Sequence, residues 1–127
     1  MRRILIVDDF KPWRDKVRHM IEAQPGLQVI TEASDGEEAV QLGAMLEPDL
    51  VVLDIGLPKI DGLRAADRIL KCPPASRVLC LSMQNDPATI QATLNLGASA
   101  YVDKLNAGNQ LLSAITTALD AVAAAVH

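Results

Sequence analysis

Leu50-Val51-Val52-Leu53-Asp54 is a run of four apolar residues that ends in a carboxylate near the middle of the chain. The run is too short for a helix. It also lacks the alternation of apolar and polar residues that marks a strand with one exposed face. A short continuous apolar run is instead typical of a parallel β-strand that is buried on both faces. This segment therefore predicts one strand of a parallel sheet.

Four other short apolar runs are bounded by polar residues in the same way. They are Ile4–Val7, Val29–Ile30, Val78–Leu81 and Ala100–Val102. Stretches of about ten to fifteen residues with helical periodicity separate the runs. Strand and helix thus alternate five times along the chain. This alternation predicts an α/β fold in which helices cover both faces of a parallel sheet and the crossovers are right-handed.

Length and composition limit the number of domains and the kinds of partner. The chain has 127 residues, enough for one domain that buries roughly two thirds of its unfolded surface. Half of the residues are hydrophobic but only 2% are aromatic, so the core must be aliphatic. The net charge of -4 and the small number of aromatic side chains disfavour binding to nucleic acid. We expect residues 1–127 to form one domain that does not bind DNA by itself.

Cysteine use and the first residues of the chain favour a cytoplasmic protein. The two cysteines, Cys72 and Cys80, form no CxxC motif and indicate neither a disulfide framework nor a zinc site. Only four apolar residues follow Met1-Arg2-Arg3 before two aspartates, which is too few for a signal peptide or a membrane span. We therefore expect a cytoplasmic protein without a membrane partner.

Polar residues stand at the carboxyl ends of four predicted strands, where open α/β sheets bind their ligands. They are Asp8 and Asp9 after the first strand, Asp54 after the third, Ser82 after the fourth, and Asp103 with Lys104 after the fifth. Clustered carboxylates repel each other, and a hard cation such as Mg²⁺ relieves that repulsion. Mg²⁺ also attracts phosphate, so we predict that Asp54 is a nucleophile toward a phosphoryl group. Lys104 would neutralise one phosphoryl oxygen, and Ser82 would donate a hydrogen bond to another.

Each of these residues alone has an ordinary structural explanation. An acid at a strand end is commonly a helix N-cap, a serine there is commonly a turn residue, and a lone lysine is commonly a surface charge. Asp61, which precedes Gly62, is interpreted in this way, as the N-cap of the third helix. The coincidence of suitable groups at four strand ends of one sheet is what favours phosphoryl transfer.

Five separated motifs occur in the order and at the spacing of a known family. They are Ile4-Leu5-Ile6-Val7-Asp8-Asp9, Leu53-Asp54-Ile55-Gly56-Leu57-Pro58, Asp61-Gly62, Ser82 after a hydrophobic strand, and Tyr101-Val102-Asp103-Lys104. Together they resemble the receiver domains of two-component response regulators, and the resemblance covers essentially the whole chain. It implies a flavodoxin-like, doubly wound sheet of five parallel strands in the order 2-1-3-4-5, with five helices.

The resemblance also implies a role for each site residue. Asp54 would accept a phosphoryl group from a sensor histidine kinase or from a small phosphodonor, and the domain would also dephosphorylate itself. It would be a phosphoacceptor switch and not an enzyme. The implied ligands of Mg²⁺ are Asp8, Asp9, Asp54 and the backbone carbonyl of Gly56. Lys104 and Ser82 would contact the phosphoryl group, and the ring of Tyr101 would move inward when Ser82 moves toward the phosphate.

Two further segments, Leu81–Pro87 and Gly97–Tyr101, resemble the NarL/FixJ group of receivers. Members of that group usually carry a LuxR-type helix-turn-helix output domain. The resemblance implies control of transcription through an output domain outside this chain, and a homodimer that forms on phosphorylation. A stand-alone receiver that acts in a phosphorelay or by protein–protein interaction remains the alternative. Leu105 follows Lys104 where many receivers have a proline, which leaves the geometry of this loop open.

Three other classes of protein fit the sequence less well. A phosphatase of the haloacid dehalogenase type needs an acid two residues after its nucleophile, where this chain has Gly56. A flavin binder with the same topology needs a first loop that cradles phosphate, and Asp8 and Asp9 would repel it. A pseudo-receiver that only binds partners would lack a residue of the acceptor site, and none is missing here.

Overall fold

The computed structural model describes residues 1–56, 62–71, 76–83 and 86–126. Its strands are β1 (Arg2–Val7), β2 (Leu27–Ala33), β3 (Leu50–Asp54), β4 (Arg77–Ser82) and β5 (Ala100–Asp103). Its helices are α1 (Lys11–Glu22), α2 (Gly36–Leu46), α3 (Gly62–Lys71), α4 (Pro87–Asn95) and α5 (Ala107–Val126), with a 3₁₀ turn over Lys104–Asn106. The strands pair in parallel in the order β2-β1-β3-β4-β5. The predicted α/β fold and its strand order are confirmed.

Alternate residues of the central strands point to opposite faces of the sheet and build two apolar layers. In β1, Ile4 and Ile6 pack with α1 and α5, whereas Leu5 and Val7 pack with α2 and α3. Every residue of β3 is buried. Because both faces of these strands are covered, their sequences are continuously apolar and do not alternate.

The edge strand β2 is longer than its apolar run predicts. The sequence marks only Val29–Ile30, yet β2 extends from Leu27 to Ala33. Within β2 only Val29 and Ala33 are buried. An edge strand pairs on one side only, and β2 is covered less completely than the central strands, so polar residues are tolerated in it. For that reason the apolar pattern underestimates its length.

Capping and turn residues mark the ends of two of the helices. Asp35 caps α2 by accepting a hydrogen bond from the backbone N–H of Glu38 at 2.9 Å. Gly97 follows α4 with a φ of 111°, which side chains rarely adopt and which suits a glycine after a helix. Met45, an apolar residue of α2, is nevertheless 75% exposed. It lies six residues after the buried Ala39, about 120° away around the helix, so it points off the buried face.

Some predicted features lie outside the described residues. The assignment of Asp61 as the N-cap of α3 is one of them, and the state of Cys72 is another. Cys80, in β4, is a buried free thiol. Because Cys72 is not among the described residues, the absence of a disulfide framework stays a prediction.

A charged network joins α1 to the edge strand β2. The Nε atoms of Arg14 and Arg18 donate to the two carboxylate oxygens of Glu32, at 2.9 and 2.6 Å. Burial alone would raise the pKa of Glu32, but the hydrogen bonds and charges of Arg18 and Arg14 outweigh it and lower the pKa. The sequence gives no signal for this contact, because Glu32 is 18 positions from Arg14.

We expect Glu32→Gln to lower the free energy of unfolding by about 1–2 kcal/mol at neutral pH. The folded-state pKa of Glu32 is depressed, so its carboxylate stabilises the fold fully above the unfolded pKa of about 4.3. That stabilisation is lost as the pH falls through the lower folded pKa. Urea unfolding at about pH 7 and about pH 3 should therefore show the two proteins converging in acid.

Glu22→Gln is the matched control for this prediction. Glu22 pairs with Arg18 only at 3.6 Å, and both side chains are more than a third exposed. Such an exposed pair contributes little to stability. A difference between the parent and Glu32→Gln that is equally large at both pH values would show that the charge of Glu32 is not its cause.

Candidate functional site

Three carboxylates from two neighbouring strands meet at the carboxyl edge of the sheet. Asp8 follows β1, Asp54 ends β3, and these two strands pair directly. One oxygen from each of Asp8, Asp9 and Asp54 lies within 4.8 Å of the other two. Asp8 and Asp54 are buried, whereas Asp9 is exposed. A set made only of carboxylate oxygens, open to solvent on one side, suits a hard cation such as Mg²⁺ that keeps several waters.

The ammonium group of Lys104 reaches two of these acids. Its Nζ atom donates to Asp8 Oδ2 at 2.6 Å and to Asp54 Oδ2 at 3.3 Å. The three side chains are only 11%, 2% and 10% exposed, so water screens these ion pairs weakly. Lys104 begins the 3₁₀ turn after β5 and reaches past the end of β4 to Asp54. It therefore lies where it can neutralise a group attached to Asp54.

Backbone amides fix the orientation of both buried carboxylates. The N–H of Phe10 donates to Asp8 Oδ1, and the N–H of Gly56 donates to Asp54 Oδ1, each at 2.9 Å. Each acid thus presents one oxygen to the backbone and the other to Lys104. The role of the Gly56 carbonyl as a metal ligand stays a prediction.

Burial also changes the acid–base properties of the site. It raises the pKa of Asp8, and the nearby charge of Asp54 acts in the same direction, while the hydrogen bonds from Lys104 and Phe10 oppose them. Burial, with the charge of Asp54, raises the pKa of the Cys80 thiol to about 12. A thiol with so high a pKa stays protonated near neutral pH and is therefore a poor nucleophile.

The side chains of Ser82 and Tyr101 are hydrogen-bonded to each other. Ser82 ends β4 and is buried, and Tyr101 lies half-buried on the neighbouring strand β5. Burial raises the pKa of Tyr101, and the hydrogen bond from Ser82 opposes that rise. The two residues predicted to form the switch are therefore in direct contact.

The turn between β5 and α5 has a local capping arrangement. Asp103 Oδ1 accepts a hydrogen bond from the N–H of Leu105 at 2.9 Å, which a proline could not donate. The N–H of Ala107 then donates to the carbonyl of Lys104. Asp103 thus caps the turn that presents Lys104, and it does not belong to the acidic cluster.

Sequence reasoning missed two residues beside the site. Arg14 Nη1 donates to the backbone carbonyl of Asp8 at 2.7 Å, which ties the loop after β1 to α1. The ring of Trp13 lies against Lys104, with its centroid 5.2 Å from the Nζ atom. In the sequence, Trp13 fits the apolar periodicity of α1 and Arg14 reads as a surface charge. Neither pattern shows which strand end the helix faces.

Comparison with known proteins identifies relatives along most of the chain. Residues 4–116 match the family described as the response regulator receiver domain. The nitrate/nitrite response regulator NarL of Escherichia coli K12 is 32% identical over 112 residues, which cover 88% of this chain and 52% of NarL. A protein-glutamate methylesterase of Pseudoalteromonas atlantica is 38% identical over 104 residues, covering 80% of this chain and 27% of that enzyme. The chain thus spans about half of the regulator and a smaller part of the enzyme.

Solved structures share the fold. The crystal structure of a LuxR-family two-component response regulator from Aurantimonas sp. SI85-9A1 superposes with a TM-score of 0.89 at 36% sequence identity. The match covers 94% of this chain and 85% of that one. Among the described helices, none combines the length and the apolar character that crossing a bilayer requires.

Proposed function

The chain belongs to the family of response regulator receiver domains, and from that membership we propose that Asp54 is the residue that accepts the phosphoryl group. One observation supports this assignment above the others. The buried carboxylate of Asp54 contacts the ammonium of Lys104, and it lies within 4.8 Å of the oxygens of Asp8 and Asp9. A nucleophile, a counterion and a set of oxygen ligands thus occupy one edge of the sheet.

The transfer itself requires little movement of these residues. A carboxylate oxygen of Asp54 forms a bond to phosphorus, while the bond from phosphorus to the donor breaks and its electron pair leaves with the donor. The Lys104 ammonium, now held by carboxylates, can turn to the new phosphoryl oxygens. Asp8, Asp9 and Asp54 would hold Mg²⁺, with the Gly56 carbonyl as a further ligand. Bound there, the ion would neutralise charge on the acids and on the phosphoryl group.

Ser82 and Tyr101 would carry the signal away from Asp54. A hydroxyl group donates one hydrogen bond, which Ser82 would direct to a phosphoryl oxygen. Movement of Ser82 toward that oxygen would draw its side chain away from Tyr101 and break their contact. We propose that its loss releases the Tyr101 ring to move, which changes the surface beside β5.

The wider role follows from the relatives. NarL is named as a response regulator, and the Aurantimonas structure belongs to the LuxR family. We propose that a sensor histidine kinase in the cytoplasm supplies the phosphoryl group. We also propose that the phosphorylated chain dimerises and controls transcription through a helix-turn-helix domain. Because one relative is a methylesterase, the chain itself is proposed only as the phosphoacceptor switch, whatever output accompanies it.

Acetyl phosphate tests this proposal directly. Incubated with acetyl phosphate and Mg²⁺, the protein should gain the mass of one phosphoryl group, measured by intact-protein mass spectrometry. Replacing Mg²⁺ with excess EDTA should abolish the gain, because the acids and the incoming phosphoryl group then repel each other. A protein that gains no mass at saturating donor and Mg²⁺ would contradict the proposed function.

A further inference from the structure

The ammonium group of Lys104 has a third neighbour besides its two carboxylates. The centroid of the Trp13 ring is 5.2 Å from Nζ, within the distance of about 6 Å at which an aromatic face attracts a cation. Tryptophan provides the strongest such attraction among the aromatic side chains. The ammonium thus contacts two anions and also lies over an indole ring.

The position of the Trp13 ring is set by packing and not by a hydrogen bond. Its backbone N–H donates to the carbonyl of Phe10 at 3.1 Å, which places the residue in the first turn of α1. The ring packs against the apolar layer formed with α1 and α5. Its Nε1 atom is buried and finds no partner among the residues that the structure describes. Among the described residues, the polar groups near the Trp13 ring are therefore the ammonium groups that lie over it.

Lys16 provides an internal comparison for Lys104. Its Nζ atom lies 5.3 Å from the centroid of the same ring. Lys16 is exposed to solvent, whereas the side chain of Lys104 is 11% exposed. Attraction between a cation and a ring is weaker at exposed sites than where both are desolvated. The ring should thus hold Lys104 more strongly than Lys16.

We propose that Trp13 is a positioning residue that keeps the Lys104 ammonium aligned on Asp54 when the acids bind a metal. A lysine side chain is flexible and loses considerable rotamer freedom when it is fixed. The carboxylates of Asp8 and Asp54 fix Lys104 through hydrogen bonds. A divalent cation would take much of their charge, but it leaves the quadrupole of the ring unchanged. This inference rests on the proposed function, in which Lys104 contacts the phosphoryl group.

Substitution of Trp13 tests the positioning role through the rate of phosphorylation by acetyl phosphate at saturating Mg²⁺. Trp13→Leu, which keeps an apolar side chain but has no ring, should react about three- to tenfold more slowly than the parent. Trp13→Phe should recover most of the rate, because it restores an aromatic face. Lys16→Met should react like the parent. Equal rates for Trp13→Leu and the parent, or equal losses for the leucine and phenylalanine variants, would overturn the proposal.

A spectroscopic measurement separates this inference from the proposed function. Trp13 is the single tryptophan of the chain, so its emission reports on this site alone. Lys16→Met removes the other ammonium group near the ring and serves as the background. In that background, the further substitution Lys104→Met should shift the emission maximum of Trp13. Addition of Mg²⁺ to the Lys16→Met protein should leave the emission maximum unchanged. If Mg²⁺ shifts the emission maximum of the Lys16→Met protein to that of the variant with both substitutions, Lys104 has left the ring and the inference fails. If the parent is never phosphorylated, the proposed function fails, and the emission alone decides whether the contact persists.

Discussion

Asp54→Asn protein should take up no phosphoryl group from acetyl phosphate and Mg²⁺, whereas the parent takes up one. An amide oxygen is a far weaker nucleophile than a carboxylate, so the bond to phosphorus does not form. The amide has the shape of the carboxylate and can still accept the hydrogen bond from the N–H of Gly56, so the fold should persist. Burial is the main cause of the raised pKa of Asp8, and the substitution removes the charge of Asp54 that adds to it, so we expect stability not to fall. Intact-protein mass and thermal unfolding measure the two effects.

Asp86→Asn is the matched control for the loss of a carboxylate. Asp86 is exposed and caps α4 by accepting a hydrogen bond from the N–H of Thr89 at 3.1 Å. Asparagine is an equally good N-cap, so this variant should be as stable as the parent and should be phosphorylated as fully. Label that persists on Asp54→Asn protein would locate the acceptor elsewhere and refute the assignment.

Of the substitutions proposed for this protein, Gly62→Ala should cause the largest loss of stability. A Cβ atom at Gly62 would lie 2.0 Å from the Cα atom of Ile55 and 2.5 Å from its carbonyl carbon and oxygen. These are backbone atoms, and Ile55 accepts a 3.0 Å hydrogen bond from the N–H of Gly62. Relief of the clash would have to displace α3 or the residue after Asp54. We expect the free energy of unfolding to fall by about 3 kcal/mol or more, measured by urea denaturation.

Gly108→Ala is the matched control, because the same substitution is expected to cause no loss of stability there. A Cβ atom at Gly108 meets nothing within 4 Å, and the residue is exposed in the first turns of α5. Alanine favours a helix over glycine, so this variant should be as stable as the parent or up to about 1 kcal/mol more stable. If Gly62→Ala unfolds at the same urea concentration as the parent, the close approach of α3 to Ile55 is not a feature of the folded protein.

The sequence predicts the fold because its signals are local and agree with one another. Four apolar residues before Asp54 define both the strand and the position of its carboxylate, and the same holds for Asp8. When both faces of a strand are covered, its continuous run of apolar residues is enough to predict that the strand is buried. The strand β2 was underestimated because its exposed residues are polar.

Contacts between side chains of separate helices and strands could not be predicted from the sequence. The approach of Trp13 to Lys104 depends on the rotation of α1 about its axis and on how far Lys104 reaches from β5. The hydrogen bond from Arg14 to the Asp8 carbonyl depends on the same rotation. Periodicity shows which face of a helix is apolar, but it does not show which neighbour that face meets. Packing of the whole domain decides this.

The hydrogen bond between Lys104 and Asp8 joins residues 96 positions apart, and this has a consequence for the protein during its synthesis. The ribosome delivers β1 first, and the lysine follows only after β5. Until then the carboxylates of Asp8 and Asp54 have no counterion from Lys104, and β4 remains an unpaired edge. A nascent chain therefore contains Asp54, the proposed acceptor, before it contains Lys104. Under the proposed function, the site would become able to stabilise a phosphoryl group only once β5 has docked and brought Lys104 to the two acids.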